Sequence, residues 1–305
     1  MAIKKYNGIV IPAVTPFTIE RRLDRAAVEK IFDHFYRHGA EPFILGTTGE
    51  ASSLPFSLKK EFLQLAGKIK KANTRLYAGI SSNVMAESVA LARHAFDAGA
   101  DVVVTTLPSY YALQPANMLR YFEELANAVR GPMMIYNIPA TTHMSIPLEV
   151  IDQLSHHPHI VGLKDSERSD ERLEASIQLW KERSDFSHFL GWAARSANAL
   201  TNGSDGLVPS TGNFATGIYS RMVDAINNGR HEETEQMQFL SDALGEVYQK
   251  GRTLGESLWA LKIIMKELGL CEEHVMPPLY SLTLEEQQLV LKAYHHITEK
   301  ERISF

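Results

Sequence analysis

The stretch HIVGLKDS, residues 159–166, sets a lysine at the end of an apolar, strand-like run and follows it at once with charge. Side chains along a strand alternate between two faces, so an inward Lys164 implies inward Gly162 and Ile160, with Val161 and Leu163 turned outward. One unit earlier, PMMIY (132–136) reads the same way, with Met134 and Tyr136 inward and Met133 and Ile135 outward. Both runs keep greasy groups on one face and small or reactive groups on the other. That division suits a strand with helices outside it and a reaction site inside.

Six further apolar runs share this character: GIVIPAV (8–14), PFIL (42–45), RLYAGI (75–80), DVVVTT (101–106), FSHFLG (186–191) and DGLVPS (205–210). Between the runs lie stretches of helical periodicity such as DRAAVEKIFDHFYRHG and MAESVALARHAFDAGA, each stopping at a glycine. Eight evenly spaced βα units match a closed (β/α)8 TIM barrel. An open doubly wound sheet is the rival, but it would want a nucleotide fingerprint, and neither G-x-G-x-x-G nor G-x-x-x-x-G-K-[ST] occurs. Past about residue 230 the strand signals stop, and residues 231–251, 254–270 and 283–300 read as three helices. The expectation is a catalytic barrel over 1–229 with a three-helix C-terminal extension over 230–305.

A hydrophobic content of 45% with 22% charged residues is ordinary for a soluble globular chain of 305 residues. The net charge of −5 argues against nucleic acid or an anionic membrane as partner. Cys271 is the single cysteine, with no disulfide partner and no metal-ligand spacing around it, which suits a reducing compartment. The first apolar run is too short for a secretion signal or a membrane span, so a cytoplasmic location is expected. Neither HHPH (156–159) nor the HH pair of the last helical stretch has the spacing of a zinc site, so no metal is expected.

An amine inside a barrel is desolvated and gives up its proton more readily. Neutral lysine attacks ketones, and the resulting iminium draws electrons from the adjacent carbon–carbon bond. Each step moves a proton, which a phenol such as Tyr136 could carry. The plainer alternatives are that Lys164 pairs with Asp165 or Glu167, and that Tyr136 is a core tyrosine. In LGTTGEASSL (45–54), Gly46 and Gly49 permit close backbone approach. With the Thr47 and Thr48 hydroxyls, that backbone could cradle a small carboxylate. Equally, those side chains could cap the next helix.

Taken together and in order, GTTGE (46–50), YNIPA (136–140) and GLKDS (162–166) resemble the dihydrodipicolinate synthase and N-acetylneuraminate lyase family of class I aldolases. The likeness extends to the opening GIVIPAVTPF, to PSYY (108–111) and to the helical C-terminus. It implies Lys164 as Schiff-base lysine, Tyr136 as general acid/base, and Thr47 and Thr48 as holders of a keto-acid carboxylate. It also implies Tyr110, or its neighbour Tyr111, as a tyrosine lent across a dimer interface, in a homotetramer built as a dimer of dimers. No cofactor is implied, and the substrate class is pyruvate and other 2-keto acids.

The pattern breaks where substrate choice is made. Dihydrodipicolinate synthases of this family carry a carboxylate-gripping arginine two residues after YN-x-P, where this chain has Thr141. N-acetylneuraminate lyases follow the glycine of strand seven, here Gly191, with an acidic pair, where this chain has Trp192, Ala193 and Ala194. The substrate that remains is a 2-keto-3-deoxy sugar acid or a similar keto acid, for cleavage or dehydration. Gly191, Val208, Thr141, Trp192, Ser210 and Asn213 are the candidates for the rest of the pocket, with loop packing or capping as the plainer reading of each. Alternatives are either named enzyme proper, a keto-acid-binding protein without turnover, or a phosphosugar enzyme using NGSDGLVPSTGN (202–213), although that loop has no lysine.

Overall fold

The computed structural model describes residues 4–301. Eight parallel strands run in sequence order: β1 (Gly8–Pro12), β2 (Glu41–Ile44), β3 (Tyr77–Gly79), β4 (Val102–Thr105), β5 (Met133–Asn137), β6 (Ile160–Asp165), β7 (Ser187–Leu190) and β8 (Gly206–Leu207). Each pairs with its neighbour in sequence, and β8 returns to β1 by pairing Gly206 with Gly8 and Leu207 with Ile9. The sheet is a closed (β/α)8 barrel, as the eight apolar runs imply.

Helices α1 (Arg25–Arg37), α2 (Phe56–Ile69), α3 (Met85–Asp97) and α4 (Pro115–Val129) follow the first four strands. A short α5 (Pro139–Thr142) precedes α6 (Leu148–Leu154), and α7 (Asp170–Trp180), α8 (Ser196–Asn202) and α9 (Gly212–Asn227) complete the ring. Local chemistry sets their ends. Asp24 caps α1 by accepting from the Ala27 N–H at 3.0 Å, and the chain leaves that helix through Gly39 at φ 67°. Between these ends, Val28, Ile31, Phe32 and Phe35 recur at helical spacing and are buried against the barrel.

Two apolar layers result. Val10, Phe43, Tyr77, Val104, Met134, Tyr136 and Phe189 fill the barrel, while Ile11, Ile44, Val103, Met133, Ile135 and Leu163 pack outward with the helices. Strand β5 alternates as expected. Strand β6 departs from expectation at its start: Ile160 lies in the outer layer, and Val161 packs against the interior. The cause is a register shift. Met133 opposes Ile160 and Met134 opposes Gly162, which leaves Val161 as an extra residue in a bulge. Above it the alternation resumes, with Leu163 out and Lys164 in. Gly162 is required there, since a Cβ would come within 2.6 Å of the Ser187 carbonyl oxygen.

Three more helices follow the barrel, α10 (His231–Gln249), α11 (Leu254–Glu267) and α12 (Leu284–Lys300). The second and third open with capping boxes, Thr253 with Glu256 and Thr283 with Glu286. Helix α10 packs against α9, α11 and α12, and α11 is buried at every residue from Ser257 to Met265. Among the described residues, no helix is long and apolar enough to cross a membrane.

Candidate active site

Parallel pairing places Tyr136 on β5 directly opposite Lys164 on β6, both at the strand ends where barrel enzymes do their chemistry. Both side chains are about 4% exposed. The Lys164 Nζ lies 3.7 Å from the centre of the Tyr136 ring and 5.0 Å from that of Phe43. Burial pulls the lysine below its ordinary value, with the nearby Tyr136 opposing. The pairing of Lys164 with Asp165 or Glu167 is not what forms. Asp165 instead accepts from Arg172 Nε at 2.6 Å and from Asn137 Nδ2 at 2.9 Å, while Glu167 takes the Ser145 hydroxyl and the same Asn137 amide. The rings of Tyr136 and Phe43 surround the buried Lys164 amine, which favours its neutral form.

The loop after β2 brings the next group in. Thr47 Oγ1 and the Tyr136 hydroxyl are 3.3 Å apart, and Thr48 is buried beside them. The loop lies close against the barrel because Gly79 faces it: a Cβ there would fall 1.9 Å from the Leu45 carbonyl oxygen. Capping is not the purpose of this segment. Helix α2 starts from Pro55 without a side-chain cap, and the 3₁₀ turn Ala51–Ser53 has none either.

Sequence reasoning passed over the network that fixes the two strand ends. Asn137 and Asp165, the residues after Tyr136 and Lys164, are bonded to each other, and Asn137 Oδ1 also accepts the Ile146 N–H at 3.1 Å. Asp165 accepts the Glu167 N–H at 3.0 Å. Burial pushes the Asp165 carboxyl up, while Arg172 and these hydrogen bonds hold it down. The network therefore ties together the strand ends that carry Tyr136 and Lys164. Its sequence signal is the N of YNIPA and the D of GLKDS, each one position beyond a singled-out residue.

The remaining candidates separate by what they touch. Gly191 donates its N–H to the Asp165 carbonyl at 2.6 Å, and a Cβ on it would strike the Ser166 hydroxyl. Val208 belongs to the interior cluster that also holds Tyr136. Thr141 is half-buried in α5, with its hydroxyl on the Ile138 carbonyl. Ser210 bonds the Tyr248 hydroxyl at 2.7 Å, so α10 reaches the rim through a residue that the sequence did not single out. Asn213 is a brace: it donates to Pro12 and Ser210 carbonyls and accepts the Val14 N–H. Trp192 is half-buried beneath the Arg195 guanidinium, 5.0 Å from its ring. Arg195 itself is held by both oxygens of Asp170, and it lines an outer cleft of about 560 Å³ with Glu174 and Gln238. Tyr110 is not brought to the site of its own chain. It is 78% exposed and meets Tyr111 edge to face at 4.9 Å.

Residues 5–297 match the Dihydrodipicolinate synthetase family. The chain is 30% identical over 291 residues to an uncharacterized DapA-like lyase of Thermococcus kodakarensis, covering 94% of this chain and 98% of that protein. YagE of Escherichia coli K12, provisionally named a 2-dehydro-3-deoxy-D-gluconate aldolase, is 28% identical over 280 residues, 90% of this chain and 91% of its own. Among solved structures, dihydrodipicolinate synthase from Bacteroides thetaiotaomicron superimposes with a TM-score of 0.90 at 28% identity, over 97% of this chain and all of that one. The structure of YagE in complex with pyruvate also gives 0.90, at 26% identity, over 96% and 99% of the two chains.

Proposed function

Because the chain belongs to the dihydrodipicolinate synthetase family, we propose that it is a lyase that holds a 2-keto-3-deoxy sugar acid, or a close relative, as an imine on Lys164. The Lys164 amine attacks the C2 ketone, and the carbinolamine loses water to give an iminium. Tyr136 carries the protons for both steps, with the Thr47 hydroxyl as its contact. The substrate carboxylate rests on Thr47 and Thr48. In cleavage, a proton leaves the C4 hydroxyl, the C3–C4 bond breaks towards the iminium and an aldehyde departs. The remaining enamine takes a proton at C3 and is hydrolysed to pyruvate. In dehydration, the same iminium loses a C3 proton and expels hydroxide from C4.

The observation that carries this reading is the Lys164 amine, buried against Tyr136 and without an ion-pair partner among the described residues. Substrate choice rests on Thr141 in place of an arginine, on Trp192 and Ala193 in place of an acidic pair, and on Arg195 being committed to Asp170. Residues 1–229 form the catalytic unit in this proposal, and residues 230–305 buttress it. Tyr110, exposed on its own chain, serves a neighbouring subunit's site in a homotetramer. The lone and buried Cys271 fits a cytoplasmic setting.

Two measurements test the proposal. Borohydride added with pyruvate should leave a reduced three-carbon adduct on the peptide containing Lys164, and an adduct on any other lysine rejects the site. A panel of 2-keto-3-deoxy acids should release pyruvate or a dehydrated product, whereas aspartate semialdehyde with pyruvate should condense poorly. Condensation with kcat/KM near the common enzyme range, about 10⁴ M⁻¹s⁻¹ or more, rejects the substrate class.

A further inference from the structure

Glu50 ends the GTTGE turn, yet its carboxylate is turned away from Lys164 and Tyr136. Its backbone is left-handed, φ 57° and ψ 27°, which is uncommon for a residue with a side chain. Its N–H donates to the Thr47 carbonyl at 3.0 Å, so the conformation of Glu50 closes the turn that presents Thr47 and Thr48. One carboxylate oxygen accepts from Lys262 of α11, and the other accepts the Met276 N–H at 2.7 Å. Both charged side chains are fully buried.

Lys262 uses its other two protons on the carbonyls of Thr15, at 2.8 Å, and His274, at 2.7 Å. Thr15 in turn donates its hydroxyl to the Gly49 carbonyl at 2.6 Å. The last two residues of the turn are thus held from the loop after β1 and from the C-terminal helices. Stability is a weak reason for such a pair, since apolar residues of similar volume often do as well. A fixed geometry of buried, directional bonds is what apolar packing does not supply.

We propose that Lys262 and Thr15 are positioning residues for the keto-acid carboxylate, acting through Glu50 and Gly49 on the Thr47–Thr48 turn. This deepens the reading of that turn as the carboxylate site and rests on it. The C-terminal helices then take part in the binding of pyruvate through the bond of Lys262 to Glu50.

The test is borohydride trapping titrated with pyruvate, read as adduct on Lys164, with Tm measured alongside. Wild type is compared with Lys262→Met, with Glu50→Gln/Lys262→Met and with Thr15→Val. Lys262→Met should raise half-saturating pyruvate about tenfold or more, the loss expected when a hydrogen bond to a charged group is misplaced. Adduct at saturating pyruvate should stay close to the wild-type amount. The double variant leaves no unpaired buried charge, so it should regain Tm without regaining affinity. A Tm that moves while half-saturation stays at the wild-type value overturns the proposal and leaves an ordinary core ion pair. Should neither Lys262 variant fold, Thr15→Val, which loses a single hydroxyl, decides: a rise of about threefold supports the positioning role, in proportion to one neutral hydrogen bond, and no rise overturns it. Absence of any wild-type adduct at saturating pyruvate sinks the imine reading and the positioning role with it. A normal wild-type adduct with unmoved variants sinks the positioning role alone.

Discussion

At the scale of single residues, the barrel holds Lys164 at a cost. The folded protein disfavours the ammonium form, while the unfolded chain accepts the proton freely, so the lowered value is a stability statement. The sign follows directly. Below the lowered value the buried ammonium carries its full penalty, and as pH rises towards the ordinary lysine value of 10.5 the penalty disappears. Lys164→Met should therefore melt above wild type at pH 7, with the gap narrowing by pH 10. A gap that does not narrow rejects a desolvated amine. Met at this position also abolishes the adduct. Tyr136→Phe should keep the fold and lower kcat by roughly 10²–10⁴, the usual worth of a placed acid/base; an unchanged kcat makes Tyr136 structural. Both residues were legible in the sequence because each ends an apolar run and takes the inward phase. The register between β5 and β6, with its shift at Val161, was not, since register is set by contacts far apart in the chain.

At the scale of elements, β6 and α7 are joined by Arg172, whose Nε meets the Asp165 carboxylate at 2.6 Å with both side chains largely buried. Removing one partner of a buried pair strands a charge. Arg172→Met should lose about 3–5 kcal/mol in urea unfolding on that ground, and Asp165→Asn/Arg172→Met should recover most of it. Equal losses in the two variants would mean that the carboxylate finds another partner. Sequence reading could not select Arg172. It stands in SERSDERLEA among four other charged residues, Glu167, Arg168, Asp170 and Glu171, and helical phase alone does not tell a solvated arginine from one turned back onto a strand end.

At the scale of the molecule, the eight strands were readable because a parallel strand covered on both sides shows as a short unbroken apolar run. The tie between Glu50 and Lys262 was not. Those residues lie 212 positions apart, and a lysine in a helix reads as surface until the helix is seen to be enclosed on every side. Tyr110 belongs to this scale too, because among the described residues its ring contact is with Tyr111 and it is otherwise exposed. Mixing Tyr110→Phe subunits with Lys164→Ala subunits separates the readings. If the tyrosine serves a neighbour, some mixed dimers hold one complete site and activity returns. If it serves its own chain, each site lacks one group and mixing restores nothing. A monomer by ultracentrifugation at working concentration also rejects the shared site.

The bulge in β6 bears on how this strand tolerates change in length. Val161 is the residue without a counterpart on β5, so its loss would leave Ile160 opposite Met133 and Gly162 opposite Met134. Every residue above it would keep its phase. Loss of Leu163 instead would turn the amine from the barrel towards the helices, because each missing residue inverts the faces beyond it. Among descendants of this chain, β6 can shorten by one at Val161 and keep its chemistry, and above that point its length is frozen.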